Sequence, residues 1–179
     1  MFITPLGPEA TNLGKMTYSA VSTAFTPGAT PQDIFTITGS ATKVIRVLRM
    51  GISTTQTTAG INNFFLAKRS SANTAGTSAA PAITVNDSLN TAATATVLQY
   101  TANPTAGTLV GYISGFQLNS PAPATAGIGG LQGIDYSLID TFGQPITLRG
   151  ITEVLAWNFK GAALPGGLSV IAYCQWTEE

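Results

Sequence analysis

The chain contains no histidine, and this removes most nucleophilic chemistry before any fold is considered. Ser-His-Asp and Cys-His mechanisms need an imidazole to carry the proton, and His-containing zinc sites need it as a ligand. Carboxylate chemistry remains, because two acids a few ångströms apart can hydrolyse a glycoside. The candidate acids are Asp33, Asp87, Asp135, Asp140 and Glu153, which fall singly in expected turns or at strand ends. Asp135 and Asp140 are the closest plausible pair, but at that spacing on an extended segment they face opposite sides of a sheet. The single cysteine, Cys174, lies between Tyr173 and Gln175 on the apolar side of a β-rich run. It reads as a small buried hydrophobe, and no intrachain disulfide is available to it.

The other polar clusters carry weaker chemical signals. Asn86-Asp87-Ser88-Leu89-Asn90 offers oxygen ligands but lacks the acid count and closing Glu of a calcium loop, so it reads as an Asx-type turn. Gly127, Gly129 and Gly130 are followed by neither a lysine nor a helix signal, as a phosphate loop requires. Lys68-Arg69 reads as a solvated strand end or an intersubunit ion-pair partner. Glu178-Glu179 reads as a solvated chain end, with docking onto a neighbour's Arg or Lys as the sharper alternative. The sequence thus predicts a protein that is not an enzyme, with no cofactor, no metal and no small-molecule substrate.

Composition narrows the partners. Hydrophobic residues make up 44% of the 179 residues, but charged ones only 9%, with 8 Lys+Arg against 8 Asp+Glu. An ordinary globular domain carries about 25% charge. A neutral surface of Thr, Ser, Asn, Gln, Ala and Gly suits a chain held against neighbours, where each buried charge costs desolvation unless paired. Balanced charge also argues against nucleic acid, whose phosphates demand clustered Lys and Arg. No stretch approaches the roughly 18 uninterrupted apolar residues of a membrane helix. The N-terminal sequence lacks the pattern of a secretory signal, so synthesis and folding in a cytosol are expected.

The positioning elements are read as strands. From Asp33 onward, β-rich runs alternate with turn clusters: Ile34–Thr38, Lys43–Ser53, Ile61–Arg69, Thr94–Thr101, Thr108–Leu118, Tyr136–Ile139, Pro145–Arg149, Thr152–Phe159 and Gly167–Thr177. In the last of these, Leu168, Val170, Ala172, Cys174 and Trp176 share one face. In Thr108–Leu118, Val110, Tyr112, Phe116 and Leu118 share one side, with Gly111 and Gly115 opposite, where another backbone is expected to approach. Helical periodicity is missing, and the spacing predicts an all-β fold: a β-sandwich of jelly-roll or Greek-key type spanning residues 32–179. Ser70–Pro81, Asn119–Gly130 and Gly161–Gly167 are expected loops. Residues 1–31 are expected to form an extended N-terminal arm, because Pro5, Pro8, Pro27 and Pro31 interrupt hydrogen bonding. Within it only Lys15–Val21 could pair as a strand. Phe2, Ile3, Leu6 and Phe25 are its candidate interaction residues, since a solvated tail has no use for them.

Four stretches carry a resemblance: AKRSSANTAGTSAA (67–80), VNDSLNTAATATVLQYTANPTAGTLVG (85–111), PITLRGITEVLAWNF (145–159) and AYCQWTEE (172–179). Together they resemble small virion-associated structural proteins of tailed bacteriophages. The resemblance covers roughly Asp33 to Glu179 and carries no functional residue. It implies a location in the phage particle. The expected role is a capsid decoration or cement protein on the outer shell, bridging copies of the major capsid protein and pairing with copies of itself as a homotrimer. A tail, neck or head-fibre subunit is the alternative, followed by a carbohydrate-binding module. The last would favour exposed Trp or Tyr, whereas Trp157 and Trp176 fall in expected core strands.

Overall fold

The computed structural model describes residues 15–120, 132–139 and 143–179. The strands in chain order are β1 (Met16–Val21), β2 (Asp33–Thr38), β3 (Ile45–Thr55), β4 (Gly60–Arg69), β5 (Thr77–Ala79), β6 (Ile83–Val85), β7 (Thr96–Ala102), β8 (Leu109–Ser120), β9 (Gln132–Ser137), β10 (Ile146–Leu148), β11 (Val154–Asn158) and β12 (Ser169–Glu178). They form two antiparallel six-stranded sheets. The first runs β10-β3-β12-β1-β6, with β9 also paired to β3, and the second runs β5-β7-β2-β11-β4-β8. The protein is thus all-β, with the sheets stacked as a sandwich. Pairings nest from the outside inward, β1 with β12, β2 with β11 and β3 with β10.

Alternation builds the interior. The β12 residues Val170, Ala172, Cys174 and Trp176 are fully buried, facing Phe35, Ile37, Leu155 and Trp157 of the opposite sheet in one core cluster. Burial pushes the Cys174 thiol pKa well up, which leaves it an inert hydrophobe. Trp176 stacks on Tyr18 at 5.7 Å between centroids and donates its indole N–H to Glu178 at 3.0 Å. Trp176→Ala should therefore cost roughly 3–5 kcal/mol, the range for truncating a buried Trp. A denaturant midpoint matching the parent's would show that this face is misassigned.

Besides the shift of the expected strand Tyr136–Ile139 to Gln132–Ser137, the sequence-based outline changes in three ways. First, the described part of the expected arm is built into the sandwich. β1 is an interior strand between β12 and β6, with Tyr18 and Ala20 buried. Phe25 is 6% exposed and exchanges backbone hydrogen bonds with Val170, at 3.0 and 2.8 Å. Prolines at 27 and 31 end pairing locally without preventing it upstream. Second, β5 and β6 pair within or beside the expected loop Ser70–Pro81. At three residues each they are too short to show a period.

Third, the even-numbered residues of β8 do not share one side. In pairing with β4 the register skips Ile113, since Ser114 opposes Leu66 and Tyr112 opposes Ala67. This bulge reverses the phase. Phe116 and Leu118 pack inward, whereas Val110 and Tyr112 face out. Gly115 lies under the ring of Phe65 rather than under another backbone.

Candidate functional site

The outer face of the second sheet is not surrendered to solvent. Thr36, Ala67, Val154 and Ala156 are buried there. Residues 70–75 and 103–108, bridged at Thr74 and Thr105, lie across it. What holds them down is a buried polar network around Asp33. A bulge in the pairing of β2 with β11 skips Ile34 and re-aims Asp33. Its carboxylate accepts from Arg69 Nε at 2.6 Å and Nη2 at 2.8 Å, from Asn158 Nδ2 at 2.6 Å and from Asn73 Nδ2 at 2.7 Å. Arg69 Nη1 donates to the Gly107 carbonyl at 2.7 Å, and the Gly107 N–H donates to Asn73 Oδ1 at 2.9 Å. A forked guanidinium–carboxylate pair with every carboxylate oxygen engaged is the geometry that makes burial of two charges tolerable.

Beside this network an open cleft of about 410 Å³ is lined by Gln32, Arg69, Tyr112, Asn158 and Lys160. Lys160 follows β11 with φ of 57°, in the left-handed region that non-glycine residues avoid, and Gly161 continues with φ of 71°. The turn is fixed by Asn158 Oδ1, which accepts the Lys160 backbone N–H at 2.6 Å, and by the Gly161 N–H, which donates to the Pro31 carbonyl at 2.8 Å. This conformation sets the ammonium 3.6 Å from the Phe65 ring centroid and 4.0 Å from that of Tyr112. The two rings meet at 5.4 Å.

Tyr112 also belongs to a second surface feature. β8 closes one side of the second sheet, bonded only to β4 among the described strands. Other outer strands are short: β5, β6 and β10 have three residues each, and β9 has six. β8 has twelve, LVGYISGFQLNS, with neither a charge nor a proline. Leu109, Val110 and Tyr112 stand exposed on it.

The sequence-predicted residues are distributed as follows. Phe2, Ile3 and Leu6 lie outside the described residues, as do Asp140 and the glycines at 127, 129 and 130. Phe25 packs into the chain's own core. Asp33 and Arg69 neutralise each other, so the solvated or intersubunit reading of Arg69 is replaced by an internal one. Asp135 pairs with Arg49, and Glu153 with Lys68. Asp87 accepts the Leu89 N–H at 3.0 Å in the expected Asx turn.

Glu178 is neither a solvated end nor a docking acid. It is buried, with Lys43 at 3.5 Å, while Glu179 pairs with Lys15 and Arg46. No group of three or more His, Cys, Asp or Glu suited to a metal occurs among the described residues. The cleft escaped sequence reasoning because its lining comes from four separate segments. No protein-family model, curated protein or solved structure matches the chain.

Proposed function

We propose that the chain is a structural subunit of a bacteriophage particle, a decoration or cement protein on the outer capsid that stabilises the head by bridging neighbouring major capsid subunits. It acts by contact, without catalysis. The observation that carries this reading is the bare β8 edge. Free-standing domains blunt a long edge strand with charges, prolines or covering segments, because unpaired backbone groups template further pairing. β8 bulges at Val110 and Ile113, but over twelve residues it carries neither a charge nor a proline, and among the described strands only β4 pairs with it, which suits a strand covered in the working assembly.

The charge pattern points the same way. Six of the eight basic side chains are paired with acids of the same chain, which leaves little charge to desolvate on contact. The nested strand pairings support reading the sandwich as a jelly roll, wrapped from one long antiparallel hairpin. Phe2, Ile3 and Leu6 are proposed as further anchors, and self-association is proposed to give a homotrimer.

The test is binding of the purified chain to undecorated phage heads. Leu109→Lys/Val110→Lys should abolish binding while the circular dichroism spectrum stays that of the parent. Removal of residues 1–14, which leaves β1 whole, should weaken binding. Full binding by both variants, or a label found by electron microscopy on the tail or neck, would overturn the decoration role. Sedimentation of the parent only as a monomer at high concentration would remove the trimer.

A further inference from the structure

We propose that the cleft beside Lys160 is a binding site for a carboxylated sugar, a hexuronate or sialate residue carrying one negative charge on a saturated ring. The motive begins with the backbone. Lys160 occupies the left-handed region at a cost of order 1 kcal/mol that a glycine or asparagine there would avoid. Strain of this kind persists where the surroundings over-determine it. Here it holds an ammonium against two aromatic faces, with no carboxylate partner among the described residues. Lys160 and Arg149 are the two basic side chains outside the ion pairs found among the described residues.

A second observation is independent of Lys160. Arg69 is 5% exposed and lines the same cleft. Three of its N–H groups go to Asp33 and Gly107. A guanidinium has five such donors, which leaves one on each terminal nitrogen without an acceptor among the described residues. Gln32 lines the same cleft and brings a side-chain amide, with two N–H donors and one acceptor oxygen. The cleft therefore offers donors in excess of acceptors, as a carboxylate and hydroxyl groups require.

Charge and shape select among anions. Asp33 cancels Arg69, so Lys160 leaves the site with one net positive charge, matched to a monoanionic carboxylate better than to a phosphate dianion. Tyr112 is 42% exposed and gives a flat apolar wall for the C–H face of a pyranose. About 410 Å³ accommodates one or two sugar residues, at the small end of ligand sites. So open a site binds weakly, with a Kd on the order of 1 mM, and becomes effective only when many copies are arrayed. The cleft would bind the sugar whether or not the chain sits on a particle, and its variants differ from those that test the β8 edge, so the two proposals fail separately.

The experiment is an NMR titration of the full chain with sodium glucuronate and N-acetylneuraminate, against glucose and inorganic phosphate. Saturable shifts are expected for Tyr112, Lys160, Gln32 and the Arg69 side chain with the two acidic sugars, and at least about tenfold weaker binding of glucose, the loss of one charged contact. Lys160→Asn keeps a residue that tolerates the left-handed backbone and deletes the ammonium; it should weaken glucuronate about tenfold or more. Tyr112→Ala should do the same, with the parent fold checked by its amide spectrum. Equal affinity for phosphate, glucuronate binding undiminished in Lys160→Asn, or no saturation by either acidic sugar would each overturn the proposal.

Discussion

Asp33→Ala is expected to destabilise the protein by roughly 3–5 kcal/mol, a large share of the about 5–15 kcal/mol that holds a domain folded. The substitution removes the only counter-charge, among the described residues, of a guanidinium that is 5% exposed. It also strands the amides of Asn73 and Asn158, which both donate to this carboxylate. The loss comes from leaving a buried cation uncompensated, not from forfeiting a strong attraction. Asp33→Ala combined with Arg69→Met should therefore be less destabilised than the sum of the two single variants, since the double change removes both charges and keeps the bulk. Denaturant midpoints of the four proteins check this. A parent-like midpoint for Asp33→Ala would mean that residues 70–75 and 103–108 are held by something other than this network.

The network shows where the sequence was legible and where it was not. Strand identity is written in local pattern: β12 alternates from Ser169 to Trp176, and its apolar side is the buried one. Arg69 ends an expected strand and Asp33 directly precedes another, yet their partnership is invisible in the sequence. They lie 36 positions apart, and a single skipped residue, Ile34, decides which way Asp33 points. Bulges are specified by tertiary fit and leave no period in the sequence. The same cause misassigned the faces of β8, where the skipped Ile113 reverses the phase. The pattern of Lys15–Val21 marks a possible strand, but the prolines around it hide that this strand belongs inside the sandwich, between β12 and β6. For the cleft, the informative feature was backbone conformation at Lys160, a property that composition and spacing do not encode.

Glu178→Ala should match Asp33→Ala in effect, at about 3–5 kcal/mol, because several groups lose their acceptor at once. The carboxylate accepts from the Thr94 N–H at 2.9 and 3.0 Å, the Thr94 hydroxyl at 2.7 Å, the Ala95 N–H at 3.0 Å and the Trp176 indole N–H at 3.0 Å. These bonds fasten the end of β12 to the segment entering β7. Burial alone would raise the carboxyl pKa, but the donors from Trp176, Ala95 and Thr94 outweigh it and hold the group below its usual range.

A depressed folded pKa means that the unfolded chain binds the proton more readily. The stabilisation is therefore complete above the unfolded value, about 4.3, and is lost as pH falls through the lower folded value. Glu178→Gln keeps the shape but not the charge, so it should be clearly less stable than the parent at pH 7. The gap between the two should then narrow as pH is lowered from about 4.5 toward 3, because protonation removes the same charge from the parent. Urea midpoints of both proteins across that range measure it. A gap that stays constant down to pH 3 would show that the charge on Glu178 contributes nothing to the latch and that shape alone closes it.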